Sequence, residues 1–155
     1  MIIDTEIDVA APPMKVWRAI TDFPGYSKWH PFRTLSGELA VGQTVKMLIG
    51  GVSERRRKDT GRISVLVPGE VIAFDTGYPV LRTRESFVLA ASRRGTLLRH
   101  RTEMTGPLEF LARLAPPFVA NLRLANELAD KALDRYLTTN APLTSGARKR
   151  PRTRI

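Results

Sequence analysis

Two neighbouring stretches of the sequence, residues 80–90 and 96–104, place polar side chains where they could do chemistry inside an apolar fold. Both stretches have the alternation of β-strands, in which successive side chains point to opposite faces of a sheet. One face of each stretch is rich in arginine and must meet solvent, because burying several unpaired guanidinium groups is prohibitive. The other face therefore points inward, and its polar members are Thr83, Glu85, His100 and Thr102.

The short turn at residues 92–95 predicts the register of the two strands. It places Phe87 opposite His100 and Glu85 opposite Thr102. Glu85 and His100 then become diagonal neighbours, roughly 7–8 Å apart at the backbone and within reach of each other's side chains. These two residues are the strongest candidates for a functional role.

Three interpretations of Glu85 and His100 stay open. They could hydrogen-bond each other, or a buried water, and do no more than satisfy one another, since buried polar groups are usually paired. They could orient the polar end of an apolar ligand, as small-molecule pockets commonly require. They could also be catalytic, with a desolvated glutamate of raised pKa or a histidine near neutrality moving protons in an aldol-type cyclisation or a dehydration.

Composition and spacing exclude several other kinds of site. The chain has no cysteine, which removes disulfides, zinc–thiolate sites and cysteine nucleophiles. Its two histidines, His30 and His100, are too few and too far apart in the sequence to build a metal cluster. A glycine-rich phosphate loop is missing as well. We therefore predict no metal ion and no cofactor.

Near the N-terminus, aromatic side chains recur at every third position: Phe23, Tyr26, Trp29 and Phe32. A single helix cannot carry this series, because Pro24-Gly25 and Pro31 interrupt it. We predict two short helices that close one end of the sheet. Trp29 and His30 then lie near the mouth of a cavity, where they either contact a ligand or plug the end of the barrel, with the plug slightly favoured.

The elements that must position these residues follow in a simple order. Residues 3–10 alternate like a half-buried strand, and a helix begins after Pro12-Pro13. From residue 34 to 105 the sequence predicts strands joined by short turns, which implies an antiparallel meander. The first of these strands is predicted to begin at Leu35, and the third to begin at Gly61 after a solvated loop of charged residues.

After the strands, residues 117–139 predict a long amphipathic helix that lies across the concave face of the sheet. Its apolar stripe begins with Phe118 and Leu122. The opposite face, predicted to meet solvent, carries Arg123, Asn126, Glu127, Asp130, Lys131 and Asp134.

This order of elements is the helix-grip arrangement, and three segments make the match more specific. The segment IDVAAPPMKVWRAITDFPGYSKWHPF resembles the opening of the SRPBCC superfamily of START-like and polyketide cyclase/dehydrase-like proteins. The segments GRISVLVPGEVIAFDTG and RESFVLAASRRGTLLRHRTEMTG are similar to its later strands. The resemblance implies one α+β helix-grip domain over residues 1–139. Its curved antiparallel sheet of about seven strands surrounds the long C-terminal helix, with two short helices after the first strand.

Members of that superfamily resemble one another in enclosing an apolar cavity between sheet and helix, but they share no catalytic signature. The resemblance therefore implies a binding protein for a small hydrophobic or aromatic molecule, lipids included. A polyketide cyclase/dehydratase-like enzyme using Glu85 and His100 is the alternative. The predicted ligand-binding residues are Trp29, His30, Thr83, Glu85, Phe87, His100, Thr102, Met104, Phe118 and Leu122.

The net charge of +10 is concentrated near the C-terminus. Residues 141–155 hold five of the 25 basic side chains and no acidic one, so we predict a basic, disordered tail over residues 140–155. Weak polyanion contact through residues 148–154 makes an interaction module a third hypothesis, without specific nucleic-acid binding, since aromatic interleaving is absent there. The absence of a signal-like segment or a long apolar run predicts a cytoplasmic protein.

Overall fold

The computed structural model of the protein describes residues 1–50 and 56–139. The predicted tail, with its proposed polyanion contact, lies outside the described residues. The elements are β1 (Ile2–Val9), α1 (Pro13–Thr21), a short 3₁₀ helix (Tyr26–Lys28), β2 (Arg33–Ser36), β3 (Thr44–Ile49), β4 (Arg57–Val67), β5 (Val71–Tyr78), β6 (Leu81–Ala91), β7 (Thr96–Thr105), α2 (Glu109–Arg113) and α3 (Pro116–Thr139).

The strands form one seven-stranded sheet in the order β1-β7-β6-β5-β4-β3-β2. Each neighbouring pair is antiparallel, so β2 to β7 make a meander and β1 joins it beside the last strand. The register of β4 and β5 shifts between Ile63 and Val65, an irregularity of the kind that a β-bulge introduces. The predicted α+β helix-grip fold, with two short helices after the first strand and a long C-terminal helix, is confirmed.

The predicted register of β6 and β7 is also confirmed. Phe87 pairs with His100 and Glu85 with Thr102. All four are buried, whereas the arginines of the alternate positions face out. The outer arginines meet carboxylates on neighbouring strands, as in the Asp75–Arg84 pair at 2.6 Å and the Glu6–Arg99 pair at 3.0 Å.

The aromatic region packs into the core against the sheet as two separate elements. In α1, Val16, Trp17 and Ile20 form the buried face. The chain leaves α1 at Asp22 and turns through the 3₁₀ helix, where Tyr26 is fully buried. The three-residue spacing of rings thus arises from two elements that meet at a turn.

The face that α3 presents to the sheet differs from the prediction. Its buried residues are Asn126, Ala129, Asp130, Leu133 and Leu137. The prediction that Asn126 and Asp130 meet solvent is wrong. Both side chains have polar partners on the sheet, which offset the free-energy cost of burying them.

Two strands begin earlier in the chain than predicted. Strand β4 begins at Arg57, although the charged residues up to Gly61 were expected to form a solvated loop. These residues form antiparallel pairs with β3, from Arg57 opposite Ile49 to Gly61 opposite Val45. Backbone hydrogen bonds hold the strand here while Arg57 and Lys58 stay exposed. Strand β2 likewise begins at Arg33, two residues before the predicted start.

Candidate functional site

A chain of four ionisable side chains runs from β2 across the sheet into α3: Arg33, Glu85, His100 and Asp130. His100 lies between two carboxylates, with its Nδ1 2.9 Å from Asp130 Oδ1 and its Nε2 2.9 Å from Glu85 Oε1. The guanidinium of Arg33 donates through Nη1 to the second oxygen of Glu85. The side chains of His100 and Asp130 are 1% and 4% exposed, so the helix end of this chain of charges is closed to water.

Local strand geometry explains how these groups meet. Alternation along β6 points Glu85 and Phe87 inward, and the Phe87 ring stacks on His100 with ring centroids 4.3 Å apart. On the other side of β7, Thr5 of β1 pairs with His100 in register. The Thr5 hydroxyl donates to Asp130 Oδ2 at 2.5 Å. Asp130 is therefore held by both the first and the last strand.

The two carboxylates fix the protonation state of His100. Burial alone would lower the pKa of this imidazole, but the hydrogen bonds and charges of Asp130 and Glu85 outweigh burial and raise the pKa to about 9. Since both ring nitrogens face carboxylate oxygens, both must donate a proton, and only the imidazolium form can do so.

Glu85 is held as a carboxylate. Burial alone would raise its pKa, but the Arg33 charge and the hydrogen bond from His100 outweigh burial and hold the pKa of Glu85 well below its usual range. The catalytic interpretation supposed a glutamate with raised pKa or a histidine near neutrality, and neither condition is met here. The physical reason is that each group has an opposite charge within hydrogen-bond distance.

Glu85 also forms part of the wall of a cavity of about 490 Å³ between the sheet and the N-terminal half of α3. The lining is mainly apolar, with side chains such as Met47, Ile49, Leu81 and Met104. Its polar residues include Arg33, Thr76, Thr83, Glu85, Thr102 and Asn126. Asn126 Nδ2 donates to the Thr102 hydroxyl at 3.0 Å, and this hydrogen bond links α3 to β7.

The cavity brings together six of the ten predicted ligand-binding residues: Thr83, Glu85, Thr102, Met104, Phe118 and Leu122. Phe87 and His100 are buried and do not line it. Their effect on the cavity is indirect, because His100 holds Glu85 and Phe87 supports His100.

Trp29 and His30 lie away from the cavity, packed around Tyr26. The Tyr26 and His30 rings stack with centroids 5.4 Å apart, and Trp29 Nε1 donates to the Ala19 carbonyl at 3.2 Å. The His30 ring is neutral, because burial, aided by the Arg33 charge, lowers its pKa to about 3. Its Nδ1 accepts a hydrogen bond from the Phe32 backbone at 3.2 Å. These packing contacts suit a plug, while contact with a ligand stays a prediction.

Four residues of the site were not predicted: Arg33, Asp130, Asn126 and Thr5. The sequence nevertheless contained a signal for each. Thr5 shares a face of β1 with the buried Ile3 and Val9. Arg33 shares a strand face with the buried Leu35, two residues along β2. Asn126 and Asp130 continue, at helical spacing, the series that ends in Leu133 and Leu137. Because Asn126 and Asp130 are polar, they were predicted to meet solvent in spite of this spacing.

Within residues 1–50 and 56–139, no three histidine, cysteine, aspartate or glutamate side chains are arranged to hold a metal ion. No helix of the described residues is long and apolar enough to cross a membrane. The site is thus defined by a cavity and by the chain of charges behind its wall.

A curved sheet closed over a long helix, with a cavity between them, defines the helix-grip class of folds. The sequence matches the model of the family described as polyketide cyclase/dehydrase and lipid transport over residues 2–140, and the chain belongs to that family. This confirms the resemblance to SRPBCC proteins. A search of curated proteins found no match.

Solved structures share the fold. Protein CV1439 from Chromobacterium violaceum is 25% identical, with 86% of this chain and 95% of that chain covered and a TM-score of 0.69. Protein MLL2253 from Mesorhizobium loti is 18% identical, with 92% and 100% covered and a TM-score of 0.72. TTHA0849 from Thermus thermophilus is 13% identical, with 92% and 100% covered and a TM-score of 0.69.

Proposed function

We propose that this protein binds a small hydrophobic or aromatic molecule in the cavity between the sheet and α3. The observation that carries this proposal is the cavity of about 490 Å³ with its mainly apolar lining. Ligand pockets in proteins typically enclose roughly 300–1,000 Å³ and combine apolar walls with a few placed polar groups. The family's description as cyclase, dehydrase and lipid transport proteins is consistent with such a ligand.

The polar groups of the cavity give the ligand a direction. Glu85 and Arg33 belong to the sheet side, and Asn126 with its partner Thr102 joins the sheet to α3. Phe118 and Leu122 add apolar surface from the N-terminal half of α3. A ligand with an apolar body and one polar end would place that end against Glu85 and Thr102 and its body against the helix.

The second candidate function, a cyclase/dehydratase-like enzyme, has less support. General acid–base catalysis is most effective when the catalytic pKa lies near the working pH. The pKa of Glu85 is far below that value and the pKa of His100 lies above it, with both ring nitrogens engaged. Glu85 is the member of this pair that lines the cavity, so it would have to carry any proton transfer to a ligand.

Filling the cavity from α3 tests the binding proposal. Leu122 lines the cavity, and Leu124 on the same helix is 52% exposed and does not. We expect the purified protein to bind a neutral hydrophobic dye such as Nile red saturably. Leu122→Trp should weaken that binding by at least about tenfold, a loss of ~1.4 kcal/mol, while Leu124→Trp leaves it unchanged.

The proposal would fail if the dye showed no saturable binding to the wild-type protein. It would also fail if the two tryptophan variants bound the dye equally well, because binding would then take place on the surface. Thermal unfolding of both variants verifies that each is folded under the conditions of the assay.

A further inference from the structure

The charges around the cavity cancel one another. Along the buried chain, the cations Arg33 and His100 alternate with the carboxylates of Glu85 and Asp130, each cation within hydrogen-bond distance of a carboxylate. Nearer the solvent, Arg57 and Asp59 also line the cavity and pair with each other at 3.4 Å. Among the described lining residues, every charge therefore has its counter-charge within the protein.

This balance determines which ligand the cavity can hold. An ionised group that leaves water for an apolar cavity needs an opposite charge there, or the free-energy cost is severe. A ligand carboxylate would lie beside the Glu85 carboxylate, and a ligand ammonium beside the Arg33 guanidinium. Each charged ligand group would be repelled by the like charge of the pair. The opposite charge, which could attract it, is already neutralised by its partner in the protein.

A hydroxyl group meets no such repulsion. A carboxylate oxygen accepts more than one hydrogen bond, so Glu85 can take a proton donated by a ligand hydroxyl as well as its present bonds. The same hydroxyl can accept a hydrogen bond from Arg33. This guanidinium has five N–H groups and lines the cavity, its side chain is 17% exposed, and its bond to Glu85 is made through Nη1, so other N–H groups can donate to a ligand.

We propose that the ligand's polar end is an uncharged hydroxyl, as in a phenol or a hydrophobic alcohol, and that the cavity discriminates against carboxylates and ammonium groups. This inference rests on the proposed function and adds the chemical class of the ligand. The residues that set the preference are Glu85 and Arg33, acting together as a neutral pair.

Three probes with the same ring system test the preference: naphthol, naphthoate and naphthylmethylammonium. Each is titrated at neutral pH against the protein loaded with Nile red, a neutral dye. We expect naphthol to displace the dye at a concentration at least about tenfold lower than either ion requires. Equal or tighter binding of naphthoate or of naphthylmethylammonium would overturn the inference.

Charge-changing variants should reverse the preference. Glu85→Gln leaves Arg33 without its carboxylate and should shift the naphthoate-to-naphthol affinity ratio by about tenfold or more toward naphthoate. Arg33→Gln should shift the corresponding ratio toward naphthylmethylammonium. Asp75→Asn, which removes a carboxylate on the outer face, is the control and should leave both ratios unchanged.

If Glu85→Gln or Arg33→Gln does not fold, Asn126→Asp provides a second test. It adds a negative charge to the cavity wall without removing an ion pair, and it should also favour naphthylmethylammonium. Ratios that stay constant in the folded variants would contradict the inference. Dye binding distinguishes the proposed binding site from the proposed class of ligand. Saturable dye binding without a preference for naphthol refutes the hydroxyl alone, whereas no dye binding refutes the cavity as a binding site and the hydroxyl with it.

Discussion

Both faces of the sheet carry ion pairs, but the pairs on the two faces differ in their exposure to water. On the outer face, Asp75–Arg84 and Glu6–Arg99 are isolated ion pairs with side chains between 41% and 53% exposed. On the inner face, Glu85 and His100 belong to one connected chain whose members are nearly closed to water. From this difference we expect burial, and not the count of ion pairs, to decide how strongly the stability of the fold depends on them.

The physical reason lies in the solvent. Exposed ion pairs gain little, because water and salt screen them and their side chains lose conformational freedom, so their median contribution is about 0–1 kcal/mol. Breaking a buried pair leaves an uncompensated charge and costs about 3–5 kcal/mol. Variants on the two faces should therefore differ by several-fold in their effect on stability.

The largest effect is expected from Asp130→Ala. It removes one of the two carboxylates around His100 and leaves the Thr5 hydroxyl without its acceptor. We expect the free energy of unfolding to fall by about 3–5 kcal/mol, measured by urea denaturation. Asp134→Ala, one turn later on α3, is the matched control. It removes an exposed hydrogen bond from the Ala10 backbone and should cost about 1 kcal/mol or less. Equal losses in the two variants would contradict the expectation that burial of the carboxylate decides the loss.

The next effect is a loss of stability at alkaline pH that depends on His100. Its pKa is about 9 in the folded protein, above the ordinary value of 6.5, so its stabilising contribution is complete below pH 6.5 and is lost as the pH rises through 9. The loss should be on the order of 3 kcal/mol. Urea denaturation across this range measures it, and His100→Gln should remove the slope. A flat profile in the wild-type protein would show that His100 is neutral when folded.

His30 should produce a smaller loss on the acidic side. Burial lowers its pKa to about 3 in the folded protein, so the unfolded chain binds a proton that the folded protein excludes once the pH falls below 6.5. Between pH 6.5 and 5 the expected loss is about 2 kcal/mol. The lowered pKa of Glu85 adds a further loss only below its ordinary value of 4.5. His30→Phe should flatten the interval between pH 6.5 and 5, and an unchanged slope in this variant would contradict the assignment.

The smallest effect is expected on the outer face. A double-mutant cycle with Asp75→Ala and Arg84→Ala should give a coupling energy of about 0.2–1 kcal/mol that falls with added salt. Urea denaturation of the four proteins at two salt concentrations measures it. A salt-independent coupling as large as the loss in Asp130→Ala would remove the distinction between the two faces.

The part of the site that lies on β6 and β7 could be predicted from the sequence. The rows of arginine on β6 and β7 fixed which face is outside, and the short turn fixed the register, so Glu85, His100 and Thr102 followed from strand geometry alone. Both rules are local. They need only the alternation within a strand and the length of one connection.

The helix half could not be predicted in the same way. Asp130 lies beside the apolar stripe of α3. A charged residue at such a position is normally exposed to solvent unless a neighbouring element supplies a polar partner. The partners, Thr5 and His100, come from strands far away in the sequence, and their pairing with each other is a property of the assembled sheet. The pKa values of Glu85 and His100 depend on the same partners, so the sequence alone left the three interpretations of these residues open.

The position of Asp130 also has a consequence for how the protein is made. Thr5 and Asp130 are 125 positions apart, and β1 pairs with β7 at the far end of the meander. Contacts between residues so distant in sequence form slowly, because a long loop must close before they gain any free energy. During synthesis the first strand leaves the ribosome long before its neighbour exists, and His100 appears thirty residues before Asp130, the second of its two carboxylate partners. The candidate site is therefore among the last parts of the domain that a growing chain can complete.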